Sequence, residues 1–396
     1  MQRNKKSNSK KRVLLIDGGS RQVLPLIEGF HKMGWSACVF CGSKLDVGYV
    51  SRFTDERFMG IVDFSDEKTT YASLIETTRK SHFDLLIPMC DFFATILSKN
   101  KSEFPSDTVV YVNDWQIFHK AIDKLQTMVA CMDNGIPCPK TAIFSNFTEF
   151  DSTEWSYPLV IKPRTGFGAK GFLAVSSEME LINSFKMYEK KFGPMLIQEY
   201  IPQTDKQYQA ELLIDKNGVC KAFVLMEKVR WYPLEGGSST MNRTMHDEKI
   251  KEDCVRLMNA IGWRGYASLD LIRDPRDGIA KIMEINPRIN GTAKICFASG
   301  VNLSKLIIED AFNLDVTDQT EYKDGIGLRY FHMDVLWFLK SKNRFKVRPS
   351  WFSNKNTVDE IISLKDIKPA FTYSIIAIKK LRKDKSNRSV NENEES

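Results

Sequence analysis

Gly166-Phe167-Gly168-Ala169-Lys170-Gly171 spells G-x-G-x-x-G, and its flanks exclude the fold that this spacing most often announces. The dinucleotide-binding form of the motif must open a helix, because the helix N-terminus receives the pyrophosphate. Here Pro158-Leu159-Val160-Ile161-Lys162-Pro163 enters the loop and Phe172-Leu173-Ala174-Val175 leaves it, and both segments read as strands. Strand, glycine loop, strand is the geometry of a flap closing over nucleotide phosphates, which protein kinases use on a different fold. No H-R-D or D-F-G pattern accompanies it, so a protein kinase is excluded. Taken alone, the loop fits a glycine hairpin that binds nothing equally well.

The chain has 396 residues, enough for two or three packed subdomains. With 42% hydrophobic and 27% charged residues, disorder is ruled out as its main state. No apolar run approaches the roughly 18 residues of a membrane span. Six Lys or Arg within residues 1–12 have no apolar stretch behind them, so no secretory signal is expected. Formal net charge is +7, much of it at the two ends. The bases from Arg3 to Arg12, and Lys379, Lys380, Arg382, Lys383 and Lys385, are expected as solvated tails. Weak attraction to an anionic membrane is the lesser alternative, and no nucleic acid partner is expected. Eight cysteines without a secretory signal predict reduced thiols in a cytoplasmic protein. Cys38-Val39-Phe40-Cys41 lies in an apolar strand with no second pair and no nearby His, so it is expected to pack in the core.

Residues 12–113 alternate strands and helices. Val13-Leu14-Leu15-Ile16 is a buried strand, and Val23, Leu26, Ile27 and Phe30 follow at helical spacing, with Ser20 the expected N-cap and Gly34 the stop. Further strands near 37–40, 60–63, 84–88 and 109–112 predict an open parallel α/β sheet with helices on its faces. Asp17-Gly18-Gly19-Ser20 lacks the full dinucleotide fingerprint.

From residue 114 the pattern changes. Asp123 is placed to cap a helix with the stripe Leu125, Met128, Val129 and Met132, ended by Asn134-Gly135, and Ser177 with Glu180 makes a capping box for a later helix. From Met195, strands at 196–200, 209–215, 222–229, 267–272 and 280–286 read as antiparallel, with hairpin turns at Asn217-Gly218 and Asp277-Gly278. The expected organisation is a basic tail (1–11), an α/β domain (12–113), an α+β region (114–316) divided at 195/196, an extension (317–380) and a disordered tail (381–396).

Two lysines need an anion. Lys162 sits in the apolar strand entering the glycine loop, and Lys124 in the first turn of the preceding helix. A lysine in such a strand is costly unless its ammonium meets a negative group or snorkels to solvent. Further on, Tyr266-Ala267-Ser268-Leu269-Asp270-Leu271-Ile272 and Lys281-Ile282-Met283-Glu284-Ile285-Asn286-Pro287-Arg288 flank a turn. Glu284 and Asn286 are two apart and share a face, and antiparallel pairing about the turn sets Asp270 roughly opposite Glu284. Facing carboxylates repel in a simple sheet. A divalent cation reverses that sign. Two carboxylates and a carboxamide oxygen, completed by phosphates, are hard ligands suited to Mg2+ or Mn2+. Arg288, just beyond, is placed to neutralise a transferring phosphoryl group.

Asp123-Lys124 opening a helix, Val160-Ile161-Lys162-Pro163 before a glycine flap, Gln198-Glu199-Tyr200-Ile201, and Leu269-Asp270 followed by Met283-Glu284-Ile285-Asn286-Pro287-Arg288 together resemble the ATP-grasp superfamily. The likeness is greatest to its short, carbamoyl-phosphate-synthetase-like carboxylate–amine ligases, and it runs from residue 12 to residue 316 in the family's order. It implies a pre-ATP-grasp parallel domain followed by a two-subdomain ATP-grasp fold. By the same resemblance, Lys124 and Lys162 hold ATP phosphates beneath a flap of Gly166, Phe167, Gly168 and Gly171. Glu199 takes the adenine amino group, Tyr200 and Ile201 supply the hinge, and Asp205 binds the ribose in place of the family's usual Gly-x-Glu. Asp270, Glu284 and Asn286 match the magnesium ligands. Arg230 and Gly236-Gly237-Ser238-Ser239, with Arg243, resemble the loop beside the acyl phosphate.

The implied reaction joins a small carboxylate to an amine, of the amino acid, peptide or amino sugar class, with Lys162, Arg230 and Arg288 offsetting charge. Its products are an amide, ADP and phosphate. His246 is expected to be structural. Bicarbonate as the carboxylate is one alternative; a non-catalytic ATP-binding regulatory module is another, which the retained lysines, acids and Arg288 speak against. The aromatics of the extension, among them Tyr330, Trp337, Phe345 and Phe352, are expected to form a packing skirt, the alternative being a platform for a large or membrane-associated substrate.

Overall fold

The computed structural model describes residues 10–166, 170–203, 206–234 and 237–377. Strands β1 (Arg12–Ile16), β2 (Ser36–Cys41), β3 (Glu56–Met59), β4 (Leu85–Pro88) and β5 (Val109–Val110) form a wholly parallel sheet in the order β3-β2-β1-β4-β5. Leu14, Ile16, Cys38 and Phe40 pack on one face and Val13, Leu15, Val39 and Cys41 on the other. Such two-sided apolarity is what a sheet covered by helices on both faces requires. Cys38 and Cys41 are buried, free and on opposite faces, so their spacing makes no ligand pair.

The helix Val23–Lys32 buries Val23, Leu26, Ile27 and Phe30, and the chain turns at Gly34 with φ +80°. The Ser20 cap is not formed. Gln22 occupies the N-cap position, while Ser20 Oγ donates to Asp17 Oδ2 at 2.5 Å. The strand expected at 60–63 lies earlier, at Glu56–Met59, because this edge strand shows alternating exposure instead of an apolar run. Two bases assigned to the tail are also held: Arg12 is in β1, 2.6 Å from Glu56, and Lys11 Nζ lies 4.2 Å from the centre of the Phe312 ring. The bases before Lys10 and after residue 377 lie outside the described residues.

Strands β6 (Leu159–Pro163), β7 (Leu173–Val175) and β8 (Met195–Glu199) make a three-stranded antiparallel sheet with β6 central. The helix Glu178–Phe192 packs on it. Ser177 Oγ accepts from the N–H of Glu180, and Glu180 Oε2 accepts from the N–H of Ser176, one residue short of the predicted box. Since β8 pairs with β6, the strand assigned beyond residue 195 shares the sheet that leads into the flap.

The second sheet comprises β9 (Gln207–Ile214), β10 (Cys220–Tyr232), β11 (Ser238–Met245), β12 (Gly265–Arg273), β13 (Ala280–Asn286), β14 (Gly327–Arg329) and β15 (Thr357–Asp359), in the order β13-β12-β9-β10-β11-β14-β15. All neighbours are antiparallel except β14 and β15. The hairpin turns fall where expected, at Gly218 (φ +82°) and Gly278 (φ +73°). Alternate residues serve two cores. Tyr208, Ala210 and Leu212 of β9 pack with Cys131, Cys254 and Leu257, while Leu213 joins Val224 and Met226 against the N-terminal domain. The helix Lys124–Asp133 is capped by Asp123 as predicted, but it buries Thr127, Met128 and Cys131 and leaves Met132 exposed. Its stripe is rotated because its packing partners, not its apolar count, select the buried face. β14 and β15 come from the extension, which therefore lengthens this sheet.

Candidate active site

β12 and β13 pair with Asp270 opposite Glu284 and Ser268 opposite Asn286, one residue off the register that holds next to the turn, because a β-bulge falls between Asp270 and Leu271. Asn286 Nδ2 donates to Asp270 Oδ2 at 2.9 Å, and Arg288 Nη2 donates to Asn286 Oδ1 at 3.1 Å. Arg288 also reaches Asp91, which opens the helix Asp91–Lys99 after β4, so the N-terminal domain supplies its carboxylate (Nη2 to Oδ2, 3.2 Å). Each facing carboxylate ends on a lysine. Lys124 Nζ is 3.2 Å from Glu284 Oε2, and Lys228 Nζ is 2.5 Å from Asp270 Oδ1.

Lys124 Nζ also donates to the carbonyl of Gly166 at 2.9 Å, tying the acid pair to the start of the glycine loop. Gly166 and Gly171 have φ +123° and +77°, where a side chain would be strained. Lys162, half-buried on β6, has its pKa pushed down to about 8 by burial and by Lys124, against the pull of Glu284. Opposite Ser268, two residues along β12 from Asp270, lies Glu211 of β9, fully buried and accepting from the Tyr266 and Thr292 hydroxyls. Burial and Asp270 raise its pKa to about 7.

Away from the acid pair, Glu199 ends β8 with both oxygens engaged: Oε1 accepts from the N–H of Lys140 at 2.8 Å and Oε2 from Arg276 at 2.7 Å. Asp274, bonded to Arg276 and Lys281, is held well below the usual carboxylate range. Tyr200 is half-buried and Ile201 buried beside it. Phe167, Gly168, Asp205 and Gly236 lie outside the described residues.

Arg230 is not brought to the acid pair. Its buried guanidinium clasps Asp334 with two bonds of 2.8 and 2.9 Å, and Asp334 also meets Thr240 at 2.8 Å and Arg329 at 3.2 Å. Arg243 is exposed on β11, opposite Glu227. His246 stacks on Tyr322 at 4.2 Å, a packing role.

Lys228, Asp91 and Glu211 escaped the sequence reading. Lys228 follows the apolar run Phe223-Val224-Leu225-Met226 in its strand, so the argument applied to Lys162 would have found it. Asp91 carries no comparable local signal.

Among the described residues, no group of three or more His, Cys, Asp or Glu is placed to hold a metal ion. Here two carboxylates and one carboxamide stand together, hard oxygen donors whose charge is now balanced by ammonium groups. That set fits a divalent cation whose remaining ligands are phosphate oxygens. Also among the described residues, no helix is long and apolar enough to cross a membrane.

A family model described as an ATP-grasp domain matches residues 121–292, the stretch from the Lys124 helix to just beyond Arg288. The chain carries an ATP-grasp domain. D-aspartate ligase from Enterococcus faecium is 26% identical over 263 residues, covering 61% of this chain and 62% of that one. The carbamoyl phosphate synthase large chain of Methanobrevibacter smithii is 22% identical over 231 residues, 54% of this chain and 21% of that one. Both matches span less than two thirds of the relative's own length. Among solved structures, the biotin carboxylase domain dimer of the Hydrogenobacter thermophilus 2-oxoglutarate carboxylase, in complex with MgADP, ADP and bicarbonate, superposes with a TM-score of 0.66 at 16% identity, covering 80% of this chain and 73% of that one. This likeness extends the shared fold over the ATP-grasp domain and well beyond it. ATP-grasp domains bind ATP together with a divalent cation.

Proposed function

We propose that the protein is an ATP-dependent carboxylate–amine ligase. The observation that carries this reading is the facing pair Asp270 and Glu284, joined by Asn286 and met by Lys124, Lys228 and Arg288 inside an ATP-grasp domain. Lys124 and Lys162 bind the ATP phosphates, and the loop opening at Gly166 closes over them and excludes water. Glu199, with Tyr200 and Ile201, receives the adenine. Asp270, Glu284 and Asn286 would hold Mg2+, which would supply charge neutralisation to the phosphates. A substrate carboxylate oxygen attacks the γ-phosphorus and ADP leaves. The amine nitrogen then attacks the acyl phosphate carbon, phosphate departs, and the nitrogen gives up a proton. Arg288 offsets charge on the transferring group.

The D-aspartate ligase likeness supports an amino acid as one substrate, with an amino acid, peptide or amino sugar as the other. Eight free cysteines agree with a cytoplasmic setting. Bicarbonate as the activated carboxylate is the second reading, favoured by the fold shared with a bicarbonate-bound carboxylase domain.

The test is Mg-ATP-dependent phosphate release by the purified protein across a grid of carboxylates and amines that includes bicarbonate and D- and L-amino acids. Release requiring one carboxylate and one amine together is expected, and Glu284→Gln should abolish it. Release with bicarbonate alone moves the assignment to the second reading. Undiminished release in the variant would remove the metal assignment.

A further inference from the structure

The extension after β14 separates its charges. Residues 331–377 contain eight Lys or Arg and four Asp or Glu. All four acids are bound inward. Asp334 holds Arg230, Glu360 holds Arg21, Asp366 accepts from Ser51 and the N–H of Arg52, and Asp359 accepts backbone N–H groups at Phe331, Ile361 and Ile362. None of the eight cations forms an ion pair among the described residues, and all but Arg344 are exposed. Among the described residues, no acid of the extension itself is therefore left to pair with these cations.

Apolar side chains stand among these cations. Phe345 is 68% exposed, Phe352 64% and Phe371 66%, and Leu364 is almost wholly in solvent at 98%. Phe345 and Phe352 belong to one surface. Phe345 and Phe352 both touch Phe338 (5.5 and 5.7 Å), Phe338 stacks near Trp351 (4.4 Å), and Trp351 meets Phe331 (6.2 Å). From Phe331 the contacts pass through His332 to Tyr373, which packs inward. Protein–protein interfaces are depleted of Lys at their cores. Aromatic and aliphatic tips interleaved with Lys and Arg are instead what the boundary of an anionic bilayer accepts, because the rings enter the headgroup layer while the cations meet phosphate.

We infer that this face of the extension docks the protein on an anionic lipid membrane. The occupant is the lipid surface itself, recognised by charge complementarity and by insertion of Phe345 and Phe352. The chain continues past the described residues with Lys379, Lys380, Arg382, Lys383 and Lys385, the same sign. The buried Arg230–Asp334 clasp joins the docking face to β10, the strand that carries Lys228.

The experiment is co-sedimentation of the full chain with vesicles of phosphatidylcholine containing phosphatidylglycerol, against pure phosphatidylcholine, at low and high salt. Binding to the anionic vesicles only, weakened by salt, is expected. Lys342→Glu with Lys346→Glu should lower partitioning at least about tenfold, since each surface cation contributes about fivefold. Phe345→Ser with Phe352→Ser should also release the protein, and circular dichroism confirms that both variants fold. Equal binding to neutral vesicles, no binding, or binding undiminished in both variants overturns the inference. So does a concentration-dependent dimer that these substitutions abolish without any vesicle binding. Phosphate release by the same variants with soluble substrates should be unchanged, which separates a failure here from a failure of the ligase reading.

Discussion

Asp270 and Glu284 are direct cross-strand partners, and their carboxylates end on lysines from two other elements: Lys228 of β10 and Lys124 of the helix Lys124–Asp133. Like charges set opposite each other weaken a sheet. The pair stands because each acid is offset by an ammonium group delivered from elsewhere in the domain. A repulsion that is local in sequence thus becomes a convergence of three strands, a helix and the root of the glycine loop, through the Lys124 bond to Gly166.

Asp270→Asn keeps the hydrogen-bonding shape and removes one charge. Turnover should fall about 100-fold or more, the scale for losing one preorganised electrostatic partner. Titration calorimetry should show ATP binding that no longer tightens on adding Mg2+. Retained Mg2+ enhancement would take Asp270 out of the cation site.

Lys162 has a pKa pushed down to about 8, below its unfolded value, so the folded state carries a cost for its charge at neutral pH. Between pH 8 and about 10 the folded chain loses this proton first, and stability from this group rises with pH. Lys162→Met should therefore melt no lower than the parent protein at pH 7 without ligand, and should lose the stabilisation that ATP confers. A lower melting temperature in the unliganded variant would show that burial is not what depresses this lysine.

Arg230→Met should destabilise the protein by about 3 kcal/mol in urea unfolding, because it removes the two-bond partner of the fully buried Asp334 and leaves that carboxylate only Thr240 and Arg329. The double variant with Asp334→Leu should recover part of that loss. An Arg230→Met protein of parental stability with a reduced kcat would instead place the guanidinium at the reacting atoms.

Glu211 titrates near 7 when folded and near 4.5 otherwise, so its contribution is complete at low pH and declines as pH rises from about 4.5 through 7. Glu360, also raised to about 7 by burial, declines over the same range. Glu211→Gln should flatten the fall in melting temperature between pH 5 and pH 8 without abolishing it. An unchanged slope would show that Glu211 is already ionised in the folded protein at pH 5.

The acid pair was legible because its cause is short-ranged. A turn closing at Gly278 brings Asp270 to within one residue of Glu284 on the facing strand, and a β-bulge between Asp270 and Leu271 makes the two direct partners. The Asp123 cap and the buried stripe of the helix Val23–Lys32 were readable for the same reason. Edge strand β3 was misplaced because its alternating exposure leaves little apolar signal, and the helix Lys124–Asp133 was read with its face rotated because a helix with several apolar positions can bury more than one stripe.

What the sequence alone determined is the chemistry carried by single elements: lysines in strands, acids across a hairpin, glycines between strands. What only the tertiary structure decided is which charges meet across long separations: Lys228 with Asp270 over 42 residues, Arg230 with Asp334 over 104 and Arg288 with Asp91 over 197. Those meetings depend on the sheet order β13-β12-β9-β10-β11-β14 and on how the N-terminal domain sits against it. Neither has a local period to read, because both arise from burying apolar faces that belong to distant parts of the chain.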